Sequence, residues 1–241
     1  MDRFYIPPAR WADSLALSGE EAHHCRRVMR KQVGDVIEIF NGEGSWARGA
    51  ITHLGNEVAI EVTESGETPK PTLEVELAVG IPKGKTFDLV IQKSVELGVL
   101  RIQPLITEQG MVRFDGKDAV RKAEKWSRLA LEACKQCGQN WLPEVLETQN
   151  FSAWLPNRVR ADFEIISALT EESKPLRDVL PEIPASGFTR VFVGPEGDFS
   201  PAEYELAAET SMHPASLGPL VLRVETAVIY LLSNIFCQIR S

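Results

Sequence analysis

Two segments of the sequence place a Gly-Pro turn beside side chains that can take part in chemistry. The first is VFVGPEGDFSPAEYELA, residues 191–207, and the second is SLGPLVLRVETAVIYLL, residues 216–232. Each turn follows a short apolar run typical of a buried strand and leads towards a helical pattern. Glycine lets backbone approach a ligand closely, and proline makes the rim of a turn rigid. The two turns therefore predict a ligand-sized pocket lined by main-chain atoms.

Histidine and cysteine residues elsewhere do not form a pattern that predicts a metal centre or a disulfide framework. His23, His24 and Cys25 are adjacent, but no second cluster has the spacing of zinc ligands. Cys134 and Cys137 form a CxxC within a helix-like segment that has no redox context. We expect no metal, no thiol chemistry and reduced cysteines.

The elements that must position the turns differ between the two ends of the chain. Residues 34–40, 45–51 and 57–62 resemble successive hairpin strands, and residues 19–30 favour a short helix. A small β-barrel is the natural closure for such strands. Residues 65–72 combine glycine, two prolines and polar side chains, so we place a domain boundary there.

From residue 73 onward, strand-like and helix-like segments alternate, which is typical of an α/β sheet. Strands are predicted at 73–81, 99–106, 143–147, 161–169, 190–194 and just before Gly218. Helices are predicted at 85–97, 118–137, 201–210 and 225–239, and Ser200, Pro201 and Glu203 form the capping signal of the third. The last helix carries an apolar stripe that predicts core packing or a subunit interface: Val228, Leu231, Leu232, Ile235, Phe236 and Ile239.

Composition is that of an ordinary globular chain. The 241 residues are 44% hydrophobic and 25% charged, no apolar run reaches membrane-spanning length, and the N-terminus lacks a signal-peptide core. We expect a cytoplasmic protein without membrane contact. The net charge of −8 disfavours a polyanionic partner, yet Arg26, Arg27, Arg30 and Lys31 form a local basic cluster. A solvated helix end is the alternative interpretation of that cluster.

Five motifs, in order along nearly the whole chain, resemble the RsmE family of SPOUT-class methyltransferases. They are HHCRRVMRKQVGD (23–35), QKSVELGV (92–99), LALEACKQCGQN (129–140), GPEGDFS (194–200) and LGPLVLRVETA (217–227). The resemblance implies an α/β fold in which a PUA-like β-barrel RNA-binding domain, residues 1–72, precedes a SPOUT methyltransferase domain, residues 73–241, with a C-terminal trefoil knot. It also implies a homodimer that uses S-adenosyl-L-methionine to methylate N3 of a uridine in 16S ribosomal RNA of the small ribosomal subunit.

The same resemblance assigns roles to individual residues. The cofactor-binding residues it implies are Val193, Gly194, Pro195, Glu196, Gly197, Leu217, Gly218, Leu220, Leu222 and Thr226. Because N3 of uracil must lose a proton, Arg223 suits the stabilisation of the developing anion. Glu225 is expected to accept the proton or to hold Arg223, with helix capping as the alternative. The candidate RNA contacts are Arg3, Arg10, Arg27, Arg30 and Lys31.

The chain departs from the family pattern at four positions: Gln139, Asp198, Leu220 and Val224. Two positive charges are missing and an acid is gained, which leaves open a non-catalytic RNA-binding protein that retains the knotted fold. An enzyme that uses GPEG as an anion-binding loop is disfavoured, because Glu196 and Asp198 repel anions and no Walker lysine follows.

Overall fold

The computed structural model describes residues 1–11, 15–113 and 116–239, the last without its side chain. The chain divides into two compact units. The first comprises Met1–Lys70 and Leu131–Leu142, and the second comprises Pro71–Ala130 and the chain from Pro143 onward. The predicted domain limits, 1–72 and 73–241, put residues 131–142 in the second domain. In the structure these residues group with the first unit.

The first unit is built on one sheet of five strands. They are β1 (Arg3–Tyr5), β2 (Ala16–Leu17), β3 (Val36–Phe40), β4 (Ser45–Leu54) and β5 (Val58–Glu67), in the order β1-β3-β4-β5-β2. Helix α1 (Gly19–His23) continues into a π-helical turn, His24–Val28, so the predicted helix is confirmed. Among the described residues the hydrogen-bonded path does not join β1 to β2, and the predicted closure of a barrel is therefore not seen as a continuous ladder.

A buried apolar cluster holds the first unit together. It takes residues from all five strands and α1, among them Phe4, Leu17, Ala22, Ile39 and Ile51. The alternating burial of β3 and β4 puts one face of each strand into this cluster, as the period of two in the sequence requires. The opposite face carries the polar and charged side chains of the unit.

The second unit is an eight-stranded parallel sheet. Its strands are β6 (Leu73–Gly80), β7 (Arg101–Ile106), β8 (Glu144–Val145), β9 (Gln149–Asn150), β10 (Phe163–Ser167), β11 (Lys174–Pro175), β12 (Gly187–Val193) and β13 (His213–Ser216). The order is β11-β13-β10-β12-β6-β7-β8, with β9 also pairing with β7. The central strands are nearly continuous apolar runs because both faces of a parallel sheet are covered.

Helices cover the sheet of the second unit. They are α2 (Thr86–Leu97), α3 (Gly116–Cys137), α4 (Phe151–Trp154), α5 (Leu176–Val179), α6 (Pro201–Ala208) and α7 (Val224–Ile239). The four predicted helices are confirmed as α2, α3, α6 and α7, each within two residues of its predicted bounds. The end of α3, from Leu131, belongs to the first unit.

The apolar stripe of α7 is explained by core packing. Val228, Leu231, Leu232 and Ile235 are fully buried within the second unit, where α7 packs against α2. The side chain of Ile239 lies outside the described residues. This stripe therefore carries no evidence for a subunit interface.

Short elements are where the sequence-based expectations fail. Strands β1, β2, β9 and β11 have two or three residues and are absent from the predicted strands, because such a length shows no periodicity. The predicted strand at 143–147 pairs over only two residues, in β8. His213 begins β13, and its ring stacks on Phe163 with the ring centroids 4.2 Å apart.

Candidate functional site

A cavity in the second unit opens where parallel strands end. Strands β10 and β12 pair with each other and end at Ser167 and Val193, and β13 ends at Ser216 beside β10. The carboxyl ends of such strands are the usual ligand-binding edge of an α/β sheet. The lining residues are Ser167, Ala168, Leu169, Val193, Gly194, Pro195, Glu196, Asp198, Leu217, Leu220, Val221, Leu222, Val224 and Ala227. Both predicted segments thus contribute to one cavity, the second through residues that flank Gly218 and Pro219.

Seven of the ten predicted cofactor-binding residues line this cavity, namely Val193, Gly194, Pro195, Glu196, Leu217, Leu220 and Leu222. The others lie outside the lining. A Cβ at Gly197 would stand 2.9 Å from the carbonyl oxygen of Gln109, so that residue packs against a neighbouring loop. Thr226 is exposed on the first turn of α7.

Gly218 also lies outside the lining, and its conformation explains why it is glycine. Its φ of +123° is in the region that favours glycine, whereas a Cβ there would meet no atom within 4 Å. The predicted close approach of the Gly218 backbone to a ligand stays a prediction.

Several lining residues are absent from the predicted site. Ser167, Ala168 and Leu169 come from the end of β10 and the loop after it, and Val221, Val224 and Ala227 complete the second segment. The end of the predicted strand at 161–169 is the signal that could have found the first three, because neighbouring parallel strands end at the same edge. Only the strand order, which a sequence does not show, places that strand beside β12.

The first turn is held by the start of α6. The Ser200 Oγ accepts a hydrogen bond from the Glu203 amide at 3.2 Å, and Glu203 Oε2 accepts one from the Ser200 amide at 2.9 Å. This reciprocal pair is the predicted capping box. The other Glu203 oxygen accepts a hydrogen bond from the Glu108 amide at 2.9 Å. A buried carboxylate therefore ties the turn to the loop after β7.

Two acids of the first turn face the cavity. Glu196 accepts a hydrogen bond from the Lys83 amide at 3.0 Å, which ties the turn to the loop after β6. Asp198 has a φ of +62°, an uncommon conformation that aspartate tolerates better than most residues. One Asp198 oxygen accepts hydrogen bonds from the Phe199 amide and the Tyr204 hydroxyl, both at 2.9 Å. Both carboxylates are thus held in place.

The candidate catalytic residues lie next to the cavity rather than in its lining. Arg223 is exposed and Glu225 is half-buried, and within the described ranges neither side chain forms a hydrogen bond or an ion pair. The Arg223 carbonyl accepts a hydrogen bond from the Ala227 amide at 2.8 Å. Arg223 therefore stands immediately before the first residue of α7, Val224. Glu225 follows in the first helical turn, where its negative charge interacts favourably with the helix dipole.

Among the described residues of the first unit, Arg27 and Arg30 are exposed cations that no partner neutralises. Arg27 and Arg30 are exposed, and in the part of the chain that the structure describes their guanidinium groups have no hydrogen-bond or ion-pair partner. Arg27 lies in the π-helical turn and Arg30, with a φ of +52°, follows it. Such rare backbone features are frequent at functional sites. The geometry therefore presents both side chains to solvent.

The other three predicted RNA contacts already have partners within the first unit. Arg10 pairs with Glu57 at 3.0 Å on the surface. Lys31 pairs with Asp2, and this hydrogen bond raises the pKa of the Lys31 ammonium. Arg3 is only 6% exposed, pairs with Glu38 at 2.7 Å and donates to the Cys134 carbonyl at 2.7 Å. That burial argues against the prediction that Arg3 contacts RNA.

Comparison with known proteins supports the family suggested by the motifs. An RNA methyltransferase domain matches residues 68–236, and an RNA methyltransferase PUA domain matches residues 17–63. Ribosomal RNA small subunit methyltransferase E of Bacillus subtilis (strain 168) is 31% identical over 252 residues, which cover 99% of this chain and 97% of the relative. The chain belongs to the RsmE family. The corresponding enzyme of Aquifex aeolicus is 32% identical over 97% of this chain and 98% of its own length.

Solved structures agree with this membership of the RsmE family. A Legionella pneumophila protein in complex with the cofactor SAM has a TM-score of 0.87 and 32% identity, and the match covers 98% of this chain and 96% of that one. Ribosomal RNA small subunit methyltransferase E of Neisseria gonorrhoeae, bound to S-adenosyl methionine, has a TM-score of 0.84 and 28% identity over 97% of this chain and 95% of its own. The mixed α/β fold with a PUA domain is thereby confirmed.

The cysteines of this RsmE chain are free thiols, and the two buried ones lie in environments that suppress reactivity. Burial raises the pKa of Cys25 to about 11 and that of Cys134 to about 12. No group of three or more His, Cys, Asp or Glu side chains within the described ranges could hold a metal ion. Across the same residues, no helix is both long and apolar enough to cross a membrane.

Proposed function

We propose that this chain methylates N3 of a uridine in 16S ribosomal RNA, with S-adenosyl-L-methionine as the methyl donor. The observation that carries the proposal is the cavity that the Gly194-Pro195 turn and residues of the segment 217–227 line at the carboxyl ends of β10, β12 and β13. The RsmE relatives that match nearly the whole chain are named ribosomal RNA methyltransferases, and this argues against the non-catalytic alternative.

The cavity fits the proposed cofactor chemically. Its walls include Leu217, Leu222 and Val224, which suit an adenine ring, and the turn at 194–196 offers main-chain groups to polar atoms. The charged side chains among its described lining residues are the carboxylates of Glu196 and Asp198. Such a surface favours a cation and disfavours the triphosphate of ATP.

The residues next to the cavity would then carry the reaction. S-adenosyl-L-methionine supplies an electrophilic methyl group on a sulfonium. In the proposal, Arg223 stabilises the negative charge on the uracil oxygens as N3 loses its proton, and Glu225 accepts that proton. Both side chains lack partners within the described ranges, so they are available to a substrate. Positioning of the uracil base against the methyl group supplies the rest of the rate enhancement.

The proposal extends to the assembly and its partner. We propose that the first unit, a PUA-like domain, binds the RNA of the small ribosomal subunit through Arg27 and Arg30, with Arg10 and Lys31 as weaker contacts. The second unit would be the SPOUT domain with a trefoil knot, acting as a homodimer in the cytoplasm. The RsmE resemblance and the PUA-domain match support these assignments.

Mass-spectrometric mapping of modified uridines tests the proposed activity. Small ribosomal subunits that lack the modification are incubated with S-adenosyl-L-methionine, with and without the protein, and their 16S RNA is digested. We expect one uridine to gain a methyl group at N3 only when the protein is present. Unmodified RNA, or methylation of a ribose oxygen, would contradict the proposal. Calorimetry with S-adenosylhomocysteine and with ATP tests the cofactor independently of the substrate.

A further inference from the structure

Asp198 gives the proposed cofactor cavity a fixed negative charge that its fold does not require. A glycine would meet the left-handed φ of +62° at this position with less strain. Aspartate is nevertheless present, and it lines the cavity. The residue therefore adds charge to the cavity at some cost in backbone strain.

The neighbouring residues hold this carboxylate towards the turn. A Cβ at Gly194 would stand 2.8 Å from one Asp198 oxygen, so that oxygen is close to the backbone of the cavity wall. The same oxygen accepts the hydrogen bond of the Tyr204 hydroxyl at 2.9 Å. Burial, and then the Asp198 charge, raise the pKa of Tyr204, so the hydroxyl remains a donor throughout the physiological range. Within the described residues the second carboxylate oxygen accepts no hydrogen bond, and its charge adds to the cavity rim.

The charge of the bound group changes during the proposed reaction. The methyl group leaves the sulfonium and bonds to N3 of the uracil, and the S–CH3 electron pair stays on sulfur. The N3 proton passes to a base or to water. A cationic cofactor thereby becomes a neutral thioether, S-adenosylhomocysteine. A nearby carboxylate attracts the first and gives the second no comparable attraction.

On the basis of the proposed function, we propose that Asp198, positioned by Tyr204, makes the cavity bind the sulfonium cofactor more tightly than its neutral product. Glu196, the other acid of the lining, adds to the same field. No basic side chain among the described lining residues opposes these two acids. Asp198 is thus a specificity residue whose effect promotes exchange of product for fresh cofactor.

Calorimetry on the full chain tests this selectivity. The dissociation constants of S-adenosyl-L-methionine and S-adenosylhomocysteine are measured for the wild type and for Asp198→Asn, and their ratio is compared. Removal of a carboxylate charge from the cavity lining should reduce the preference for the cation by about threefold or more. The control is Glu205→Gln, which removes one negative charge from an exposed position on α6 outside the cavity lining. It should leave the ratio unchanged.

Two further variants separate charge from backbone strain. Asp198→Gly relieves the left-handed conformation and removes the charge, so it should lose selectivity as Asp198→Asn does. Tyr204→Phe keeps the charge but frees the carboxylate, and we expect a smaller loss. Added salt should reduce the preference of the wild type more than that of either Asp198 variant.

The outcomes distinguish this inference from the proposed function. A wild-type ratio in both Asp198→Asn and Asp198→Gly would overturn the inference while leaving the cofactor assignment intact. An equal loss in Glu205→Gln would also overturn it, because the effect would then be one of net charge. If the wild type binds neither compound, the proposed function fails and the inference fails with it.

Discussion

Arg223 is the residue on which the proposed chemistry depends most. It is exposed, immediately precedes α7 and has no partner within the described ranges, whereas other arginines of the second unit, such as Arg190 and Arg158, have side chains buried in ion pairs. A side chain without a partner can reorient towards a substrate at little cost. Its position at a helix start beside the cavity is suited to charge that develops on a base held there.

Replacement of Arg223 with alanine should lower turnover by about one hundredfold or more, as the loss of one preorganised stabilising group does in other enzymes. S-adenosylhomocysteine should still bind, because Arg223 does not line the cavity. The deficit should shrink as pH rises, since more uracil is then ionised without help. Single-turnover methylation rates measured across a pH series check this prediction. Turnover close to the wild type at neutral pH would remove Arg223 from the mechanism.

Glu225→Gln provides the matched contrast. If Glu225 accepts the proton, turnover falls and recovers at high pH, while stability is nearly unchanged. If Glu225 only favours the helix start through its charge, the free energy of unfolding falls by about 0.3–1 kcal/mol and turnover is retained. Methylation rates and urea unfolding of the same variant distinguish the two.

Many residues of the cavity lining can be predicted from the sequence, and the lining residues that cannot be predicted are missed for physical reasons. Seven predicted residues line the cavity because turn chemistry is local. Ser167 and Leu169 are missed because they join the site only through the pairing of β10 with β12, which is a long-range property. A sequence also does not show that the Arg3 guanidinium pairs with Glu38 and donates to the end of α3, a burial that disfavours the predicted RNA contact.

At the scale of secondary structure, a row of buried charged side chains connects β10 and β12, whose ends line the cavity, with β6. Glu76 on β6, Arg190 on β12 and Glu164 on β10 are partners in register across the sheet. Arg190 pairs with Glu76 and, at 2.6 Å, with Glu164, and Arg158 pairs with Glu164 from outside the row. A one-residue slip of any strand would leave these charges buried and unpaired. The row therefore helps to fix the register that aligns the strand ends.

This row makes stability depend on acid pH. Burial by itself would raise the pKa of Glu164, but hydrogen bonds and charges from Arg158 and then Arg190 outweigh it and hold the pKa below its ordinary value of 4.5. The unfolded chain binds the proton more readily, so the contribution is complete above about pH 4.5 and is lost as pH falls through the folded pKa. We expect the free energy of unfolding to decrease over that range.

Glu164→Gln tests the origin of this dependence. It should cost about 3 kcal/mol at neutral pH, because it leaves buried arginine charge without its partner. The acid-induced decrease should then be shallower than in the wild type. Urea unfolding from pH 3 to pH 7 measures both effects. Glu209→Gln, an exposed position, is the control, and a slope equal to that of Glu164→Gln would contradict the assignment.

Helix α6 connects local capping to the cavity. Glu203→Ala removes the acceptor for the Ser200 and Glu108 amides, so we expect a loss of about 1–3 kcal/mol and weaker binding of S-adenosylhomocysteine. Ser200→Ala removes only the cap, costs about 1 kcal/mol and leaves the tie to Glu108. Unfolding and calorimetry on both variants check the difference. Equal affinities would mean that the tie does not position the turn.

The long elements are predictable because their periodicity is local and repeated. Helices α2, α3, α6 and α7 have bounds that differ from the predicted ones by two residues at most. The grouping of residues 131–142 with the first unit has no such signal, since the chain leaves that unit at Lys70 and returns only at Leu131. No composition shift marks such a return.

For the whole molecule, the distribution of charge matters more than its sum. The chain carries a net charge of −8, which by itself repels RNA. Several cations of the first unit are neutralised by nearby acids, as Arg10 is by Glu57 and Lys31 by Asp2. Arg27 and Arg30 keep their full charge at the surface. Two unpaired arginines on an otherwise acidic protein favour one local contact with RNA over nonspecific binding of RNA across the whole surface.

The double substitution Arg27→Ala with Arg30→Ala should therefore weaken binding of 16S ribosomal RNA and flatten its salt dependence. Each phosphate that the protein no longer neutralises reduces the slope of log K against log salt by about 0.7–0.9, so the pair should reduce it by about one to two. Binding of S-adenosylhomocysteine should not change. Filter binding across a salt series measures the slope, with Arg48→Ala as the control because its charge is already paired with Glu38 and Glu64. An unchanged slope in the double variant, or an equal change in Arg48→Ala, would mean that Arg27 and Arg30 form an ordinary solvated surface, and RNA recognition would then rest on other parts of the molecule.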